Sequence, residues 1–201
     1  MFSKGSEKIA TALLDNKIID SDNYDICRYG INQCITTLFN FVTTLIIGLI
    51  CGLVLEAIFF TIAYIPVRIY AGGYHAKTPV GCWLFSAVIL VIVLLAIKKF
   101  TISLLVSVLL LIASGSLVCI LSPVEDANKP LDEIEMRVYK KRTLIMIISE
   151  AIILIIFLIL KWQRIALCAI MAWVILSIML IMGKLKNYLR KNANGGRYGG
   201  V

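Results

Sequence analysis

The stretch ITTLFNFVTTLIIGLICGLVLEAIFFTIAYI, residues 35–65, decides how many times the chain crosses a membrane. As a single helix it would be about 46 Å long at ~1.5 Å per residue, well beyond the ~30 Å hydrocarbon core of a bilayer. Gly52 and Glu56 interrupt the apolar run. We therefore predict two shorter spans joined by a hairpin at these residues.

The composition indicates a membrane protein throughout. Of the 201 residues, 60% are hydrophobic and 16% charged, and the mean hydropathy is +0.93, so a water-soluble domain would leave too much apolar surface exposed. The apolar runs are continuous and not alternating, which favours helices over the strands of a barrel. We predict an all-α polytopic membrane protein whose six transmembrane helices cover residues 35–51, 53–69, 82–97, 102–121, 143–160 and 165–182.

The basic residues separate between the two sides of this six-span layout. The side opposite the termini holds Lys98, Lys99, Lys161 and Arg164 of the 20 lysines and arginines, and 20 − 4 leaves 16 on the side of the termini. By the positive-inside rule, both termini and the loops at 70–81 and 122–142 face the cytoplasm, as in a multi-pass protein of the cell membrane. The net charge of +8 then reflects orientation and contact with the lipid bilayer, and no basic and aromatic pattern points to nucleic acid.

The segment before the first span is amphipathic, and Ser21 or Asp22 is placed to cap it. Its apolar side chains recur at spacings of three and four residues, at Tyr24, Cys27, Ile31, Cys34 and Leu38. This pattern predicts an N-terminal amphipathic helix at the membrane interface. Residues 1–190 are expected to form one membrane domain, and the Gly-rich tail at 191–201 is expected to be disordered.

The cysteines show no pattern of a metal site or of disulfides. They stand at positions 27, 34, 51, 82, 119 and 168, without a CxxC pair or a repeated spacing, and the chain has one histidine. We expect no metal and no cofactor. Five cysteines are interpreted as small buried hydrophobes, whereas Cys82 stands apart because of the sequence around it.

Residues 68–82, RIYAGGYHAKTPVGC, interrupt the apolar sequence between the second and third spans. On one continuous helix His75 and Cys82 would lie ~10 Å apart along the axis, too far for a nucleophile and its base. Two glycines and a proline break that helix. Thr78 is therefore predicted to cap the third span, with Pro79 as its first residue and Cys82 in its first turn.

The histidine then sits on a loop that can fold back towards the helix start. There the unpaired amides and the helix dipole favour a thiolate nucleophile. The residues alone also allow two other interpretations: a core thiol beside a headgroup-contacting histidine, and half of a metal site.

The pattern Arg68-x-x-x-Gly72-Gly73-x-His75-Ala76 followed by Cys82 resembles the signature of the accessory gene regulator B family of membrane endopeptidases. SPVEDANKPL, residues 122–131, resembles the family's cytoplasmic segment after the fourth span. The likeness covers nearly the whole chain in length, span spacing and motif order.

The resemblance implies an enzyme of the bacterial cytoplasmic membrane that matures quorum-sensing peptides. It would cleave a membrane-bound propeptide of the AgrD type on the C-terminal side of its future ring, with Cys82 as nucleophile and His75 as base. An internal Cys or Ser of the propeptide would then attack the acyl-enzyme thioester, which gives a thiolactone or lactone macrocycle. The resemblance also suggests a homodimer.

Other residues receive roles around this pair. The amides of Gly72 and Gly73, or those at the start of the third span, are candidates for the oxyanion hole, and Asn32 or Gln33 for orienting the histidine. Arg68 is either a snorkelling charge or a clamp on a substrate carboxylate, and the family motif favours the clamp. An acidic propeptide tail is expected to bind the basic residues of the 122–142 loop, although orientation alone also explains them: Lys129, Arg137, Lys140, Lys141 and Arg142.

Two other functions stay open at this point. The first is a small peptide or lipid transporter in which residues 68–82 form a gating or headgroup-binding loop. The second is a scaffold that docks a partner through its basic loops. The spans carry almost no charge, which counts against a conduction path. A neighbouring reading frame that encodes an amphipathic leader, a small Cys- or Ser-containing core and an acidic tail would favour the peptidase.

Overall fold

The computed structural model describes residues 3–76, 78–125 and 131–195. Seven α-helices follow one another in this part of the chain: α1 Ser3–Asp15, α2 Tyr24–Cys51, α3 Val54–Ala71, α4 Pro79–Lys99, α5 Leu104–Leu121, α6 Glu133–Ile159 and α7 Gln163–Gly195. Helices α2 to α7 are each long and apolar enough to cross a membrane. The prediction of an all-α, six-span membrane protein is confirmed.

The hairpin between α2 and α3 forms where the sequence predicts it. Gly52 ends α2 in the left-handed region, at φ +68°, and its amide donates to the Gly48 and Leu49 carbonyls. A Cβ on Gly48 would lie 3.0 Å from the Val54 Cα and 3.2 Å from the Ala57 Cβ. Small residues thus let the two helices approach closely, as is common between membrane helices.

The amphipathic stripe does not form a separate helix before the first span. It lies in α2, which begins at Tyr24 and continues into the first span because no helix-breaking residue separates the two. The helix that precedes the spans is α1, which packs against α2 and buries Ser6 and Ala10. The predicted cap is wrong, since α2 follows Asn23 without any side-chain cap.

The C-terminal boundary also differs from the prediction. Helix α7 continues to Gly195, so the expected domain boundary at residue 190 falls inside this helix. Residues 191–195 continue this helix, and residues 196–201 lie outside the described residues.

Helix α7 is the central element of the bundle. Half of its apolar stretch is buried, against 11–28% in the other five spans, and it packs on α3 and α5. Trp173 covers Gly115, where a Cβ would lie 2.8 Å from the indole, and its Nε1 donates to Glu150 on α6 at 2.7 Å. Trp173 thus joins α7 to both α5 and α6.

The six spans alternate in direction, so one end of the bundle collects the starts of α2, α4 and α6 and the ends of α3, α5 and α7. We call this the basic end, because Arg68, Lys140 and Lys186 contact loop carbonyls there. At the opposite end Arg164 pairs with Glu56 at 3.0 Å, which places that carboxylate far from residues 68–82.

Candidate active site

Cys82 lies in the first turn of α4, at the basic end. Thr78 Oγ1 accepts a hydrogen bond from the Gly81 amide at 3.1 Å, and Pro79 is the first helical residue. The Cys82 amide donates to the Thr78 carbonyl at 3.0 Å. The predicted helix start is confirmed, and it sets the thiol at the positive end of the α4 dipole.

The loop before α4 leaves α3 through two glycines with positive φ, +72° at Gly72 and +118° at Gly73. A Cβ on Gly72 would lie 2.1 Å from the Val124 carbonyl oxygen. The Gly73 amide donates to that oxygen at 3.1 Å, and the Val124 amide donates to the Ala71 carbonyl at 2.8 Å. The segment after α5 therefore holds the first half of this loop.

Helix α7 supports the second half of the loop. The Tyr74 amide donates to the Met179 carbonyl at 2.9 Å. Lys186 Nζ donates to the His75 carbonyl at 2.7 Å and lies 5.3 Å from the centre of the Tyr74 ring. A Cβ on Gly183 would lie 2.8 Å from the Gly73 carbonyl carbon, so a glycine is needed for the loop to lie this close to α7.

Arg68, the predicted carboxylate clamp, contacts the histidine loop. Its guanidinium donates to the carbonyls of Gly72 and Tyr74, on either side of the second glycine. The planar fork of the guanidinium suits two acceptors at once. These two bonds show that Arg68 supports the backbone of the histidine loop.

These contacts bring the two reactive side chains together. His75 Nδ1 lies 4.0 Å from Cys82 Sγ, with the histidine exposed and the cysteine half-buried. A thiol can donate a weak hydrogen bond to the ring nitrogen at this distance, which is the arrangement that nucleophile and base chemistry needs. In the described part of the chain, no three His, Cys, Asp or Glu side chains come together so as to hold a metal ion.

The pair lies in the wall of a cavity of about 650 Å³ between α2, α3 and α4, which also reaches Met179 of α7. We call it the inner cavity. Gln33 lines it, whereas Asn32 does not, and the buried Oδ1 of Asn32 has no hydrogen-bond donor among the described residues. Of the two candidates for orienting the histidine, the helix therefore directs only Gln33 towards the site.

The predicted oxyanion role of the two loop glycines does not fit their hydrogen bonds. The Gly72 amide donates to the Arg68 carbonyl at 3.1 Å, and the Gly73 amide donates to Val124. Neither amide is free to stabilise an oxyanion. The start of α4 is left as the electropositive group next to the thiol.

The basic residues of α6 are only partly available to a ligand. Lys140 Nζ donates to the Ser122 carbonyl at 2.8 Å and to that of Cys119, so it caps the end of α5. Arg142 stacks on Tyr70 at 5.3 Å. Arg137 and Lys141 are exposed beside a second cavity of about 600 Å³, although Arg137 lies 3.7 Å from Glu133. Lys129 lies outside the described residues.

Sequence reasoning missed the residues that hold the histidine loop. Three of them contact the loop through backbone atoms: Val124, Met179 and Gly183. The fourth is Lys186, whose side chain contacts His75 across 111 residues of sequence. A carbonyl has no sequence signal, and nothing in α7 distinguishes Gly183 from a packing glycine. The SPVEDANKPL resemblance pointed to the segment of Val124 without indicating its contact.

Comparisons with known proteins cover most of the chain. The sequence model of the family described as Accessory gene regulator B matches residues 6–181. Putative AgrB-like protein 2 of Clostridium perfringens is 26% identical over 138 residues, which cover 65% of this chain and 64% of that protein. Accessory gene regulator protein B of Staphylococcus carnosus is 26% identical over 149 residues, which cover 74% of this chain and 78% of that protein.

A third relative, Protein FsrB of Enterococcus faecalis, is 32% identical over 120 residues, which cover 59% of this chain and 50% of that protein. The chain thus spans less than two thirds of the clostridial relative and half of the enterococcal one. No solved structure matches the chain significantly.

Proposed function

We propose, from the premise that the chain belongs to the accessory gene regulator B family, that it acts in quorum sensing as a membrane cysteine peptidase. Its substrate would be a propeptide of the AgrD type, cleaved on the C-terminal side of the future ring. The observation that carries this proposal is the 4.0 Å approach of His75 Nδ1 to Cys82 Sγ in the wall of the inner cavity.

In the first step of the proposed reaction, His75 takes the thiol proton of Cys82 as the sulfur attacks the carbonyl carbon before the scissile bond. The positive end of α4 stabilises the tetrahedral oxyanion. His75 then gives its proton to the leaving nitrogen, the carbon–nitrogen bond breaks, and the tail departs with a new amino terminus. The acyl segment stays on Cys82 as a thioester.

In the second step an internal thiol or hydroxyl of the propeptide attacks the thioester. Its proton passes to His75 and then to the departing Cys82 sulfur, which restores the enzyme. The product is a thiolactone or a lactone ring. Exchange of one thioester for another has little driving force, so water must be kept from the intermediate. Burial of the thioester in the inner cavity serves this purpose.

The proposal also places the site on the cytoplasmic side of the bacterial membrane. Its support is the predicted six-span layout, in which 16 of the 20 basic residues (20 − 4) belong to the side of the termini. The expected homodimer and the binding of an acidic tail by Arg137 and Lys141 are further parts of this proposal. The tail would lie at the cavity beside α6, where both side chains are exposed.

Reconstitution of the protein with an AgrD-type propeptide tests this function. We expect a mass loss equal to the released tail and a loss of one water from the ring-closed product relative to the linear acid. Cys82→Ala and His75→Ala should each abolish both, whereas Cys34→Ala, which removes an exposed cysteine, should not. Turnover by Cys82→Ala protein would overturn the peptidase. Passage of intact propeptide across the vesicle without cleavage would favour a transporter instead.

A further inference from the structure

We infer that the inner cavity is the binding site for the uncharged acyl-side segment of the propeptide, and that Trp83 forms the wall that selects the residue before the scissile bond. This inference rests on the proposed function and adds a substrate class and a specificity-determining residue to it. Its first support is continuity, since Cys82 is itself part of the cavity wall.

The shape of the inner cavity gives a direction to the bound peptide. Along α2 the lining runs from Gln33 to Ile47, and along α4 from Pro79 to Leu90. At ~1.5 Å per residue these stretches are about 21 Å and 17 Å long, so the cavity extends from the basic end deep into the bundle. Cys82 stands near the end of this lining that lies at the basic end. The acyl side of the scissile bond therefore points inwards, and the leaving tail points towards the basic end.

The chemistry of the lining excludes charged occupants. Among the described residues of the cavity wall, none is Lys, Arg, Asp or Glu. A charged side chain that entered would lose its hydration without meeting an opposite charge, which is unfavourable at membrane depth. The segment that becomes the ring must therefore be uncharged where it enters the bundle.

One face of α2 supplies partners for a peptide backbone. Thr36 and Thr43 point their hydroxyls at the carbonyls four residues earlier, at 2.8 Å each, and Thr61 on α3 does the same at 2.7 Å. The hydroxyl oxygens of Thr36 and Thr61 keep lone pairs that can accept from peptide amides, and that of Thr43, which accepts from Trp83 Nε1, keeps one. Gln33 and Asn40, both exposed, add amide groups that can donate to peptide carbonyls. A polypeptide needs both kinds of partner when it leaves water.

The wall beside the nucleophile is aromatic and held in one orientation. Trp83 directly follows Cys82, and its ring lies 5.5 Å from that of Phe39. Its Nε1 donates to Thr43 Oγ1 at 3.2 Å, across the gap between α4 and α2. This bond joins two residues that are 40 positions apart in sequence and lie on different helices, and it fixes the plane of the indole. The side chain next to the attacked carbonyl would meet this surface, which suits an apolar residue.

A specificity experiment tests the inference. Propeptides that differ only in the residue before the scissile bond, carrying Phe, Ala or Asp there, are offered to the reconstituted protein. We expect kcat/KM to be highest for Phe and at least about 100-fold lower for Asp, in line with the cost of an unpaired charge. Thr43→Val and Trp83→Phe both remove the bond that fixes the ring. Each should lower the Phe to Ala preference by about 5-fold or more.

Matched variants separate this role from general damage. Thr37→Val changes an exposed threonine of α2 outside the cavity lining, and Trp162→Phe changes an exposed tryptophan at the opposite end of the bundle. Both should keep the wild-type preference. Equal kcat/KM for the three propeptides, or an unchanged preference in Thr43→Val and Trp83→Phe, would overturn the inference and leave the peptidase intact.

A binding readout covers the case in which no propeptide is cleaved. The Cys82→Ala protein is mixed with the propeptide carrying benzoylphenylalanine before the scissile bond, irradiated and mapped by mass spectrometry. Crosslinks to residues 33–47 or 79–90 would support the site even if the peptidase reaction fails. Crosslinks confined to other segments, or none, would contradict it.

Discussion

Cys82 and His75 are seven residues apart in sequence, yet they are positioned by different kinds of contact. The thiol depends on its own helix start, where Thr78 accepts from the Gly81 amide and Pro79 begins the helix. The imidazole depends on three distant segments, namely the end of α3, the residues after α5 and the last part of α7. Cys82 is thus placed locally and His75 by tertiary packing. Changes in α7 should therefore impair catalysis more than changes at the α4 cap.

The largest effect is expected at Gly183. In Gly183→Ala the new Cβ would meet Gly73 and Tyr74 backbone atoms at 2.8–3.0 Å, so the histidine loop must move. A displacement of about 1 Å can lower a rate 10²-fold, and we expect kcat to fall by about 100-fold or more. Cleavage kinetics and circular dichroism measure the effect. The control is Gly5→Ala, which meets no atom within 4 Å. Wild-type turnover in folded Gly183→Ala would contradict the tertiary placement of His75.

Arg68→Lys should have the next largest effect. Lysine keeps the charge but cannot donate to the Gly72 and Tyr74 carbonyls as a planar fork, so the loop loses support. We expect kcat to fall by about 30-fold while KM stays within about twofold, since each charged hydrogen bond is worth ~1.5 kcal/mol or more. The loss should be the same for propeptides with acidic and with neutral tails. A rise in KM only for the propeptide with the acidic tail would instead support a role of Arg68 as a carboxylate clamp.

Lys186→Met removes the ammonium that contacts the loop at the His75 carbonyl and over the Tyr74 ring. Its Nζ donates to the His75 carbonyl at 2.7 Å, and we expect about a 10-fold lower kcat. Lys184→Met is the matched control, because Lys184 is an exposed lysine two positions earlier on the same helix. Equal effects of the two substitutions on turnover would show that α7 acts through its charge and not through this bond.

The smallest effect is expected at the helix start. Thr78→Ala removes an N-cap worth ~1 kcal/mol, which should lower stability and reduce kcat by about threefold, with recovery in Thr78→Ser. Ser103 caps α5 at the opposite end of the bundle, accepting from the Val106 amide. Ser103→Ala should lower the thermal midpoint comparably and leave kcat unchanged. A loss at Thr78→Ala as large as at Gly183→Ala would remove the contrast between the two residues.

The same contrast explains what could be predicted from the sequence. The spans follow from runs of apolar residues, and the position of Cys82 follows from the Thr-Pro pair four and three residues before it, so both are local signals. The hairpin at Gly52 is likewise a local signal, because the apolar run of residues 35–65 is too long for one span and Gly52 interrupts it.

The sequence leaves open what depends on the rotation of a helix or on a distant partner. Asn32 and Gln33 differ by about 100° around α2, and only the packed bundle determines which faces the inner cavity. Arg68 has the same charge whether it holds a substrate or the carbonyls of Gly72 and Tyr74. The support from α7 depends on backbone atoms brought together by the fold.

The most direct test of the central claim is to trap the acyl-enzyme. A propeptide whose ring-closing Cys or Ser is replaced by Ala cannot cyclise, so the thioester should accumulate. The account predicts that the mass of the reconstituted protein rises by the acyl segment, that peptide mapping places the adduct on Cys82, and that hydroxylamine removes it. The adduct should be absent from Cys82→Ala and strongly reduced in Gly183→Ala. Tail release without any adduct, or an adduct on another cysteine, would contradict it.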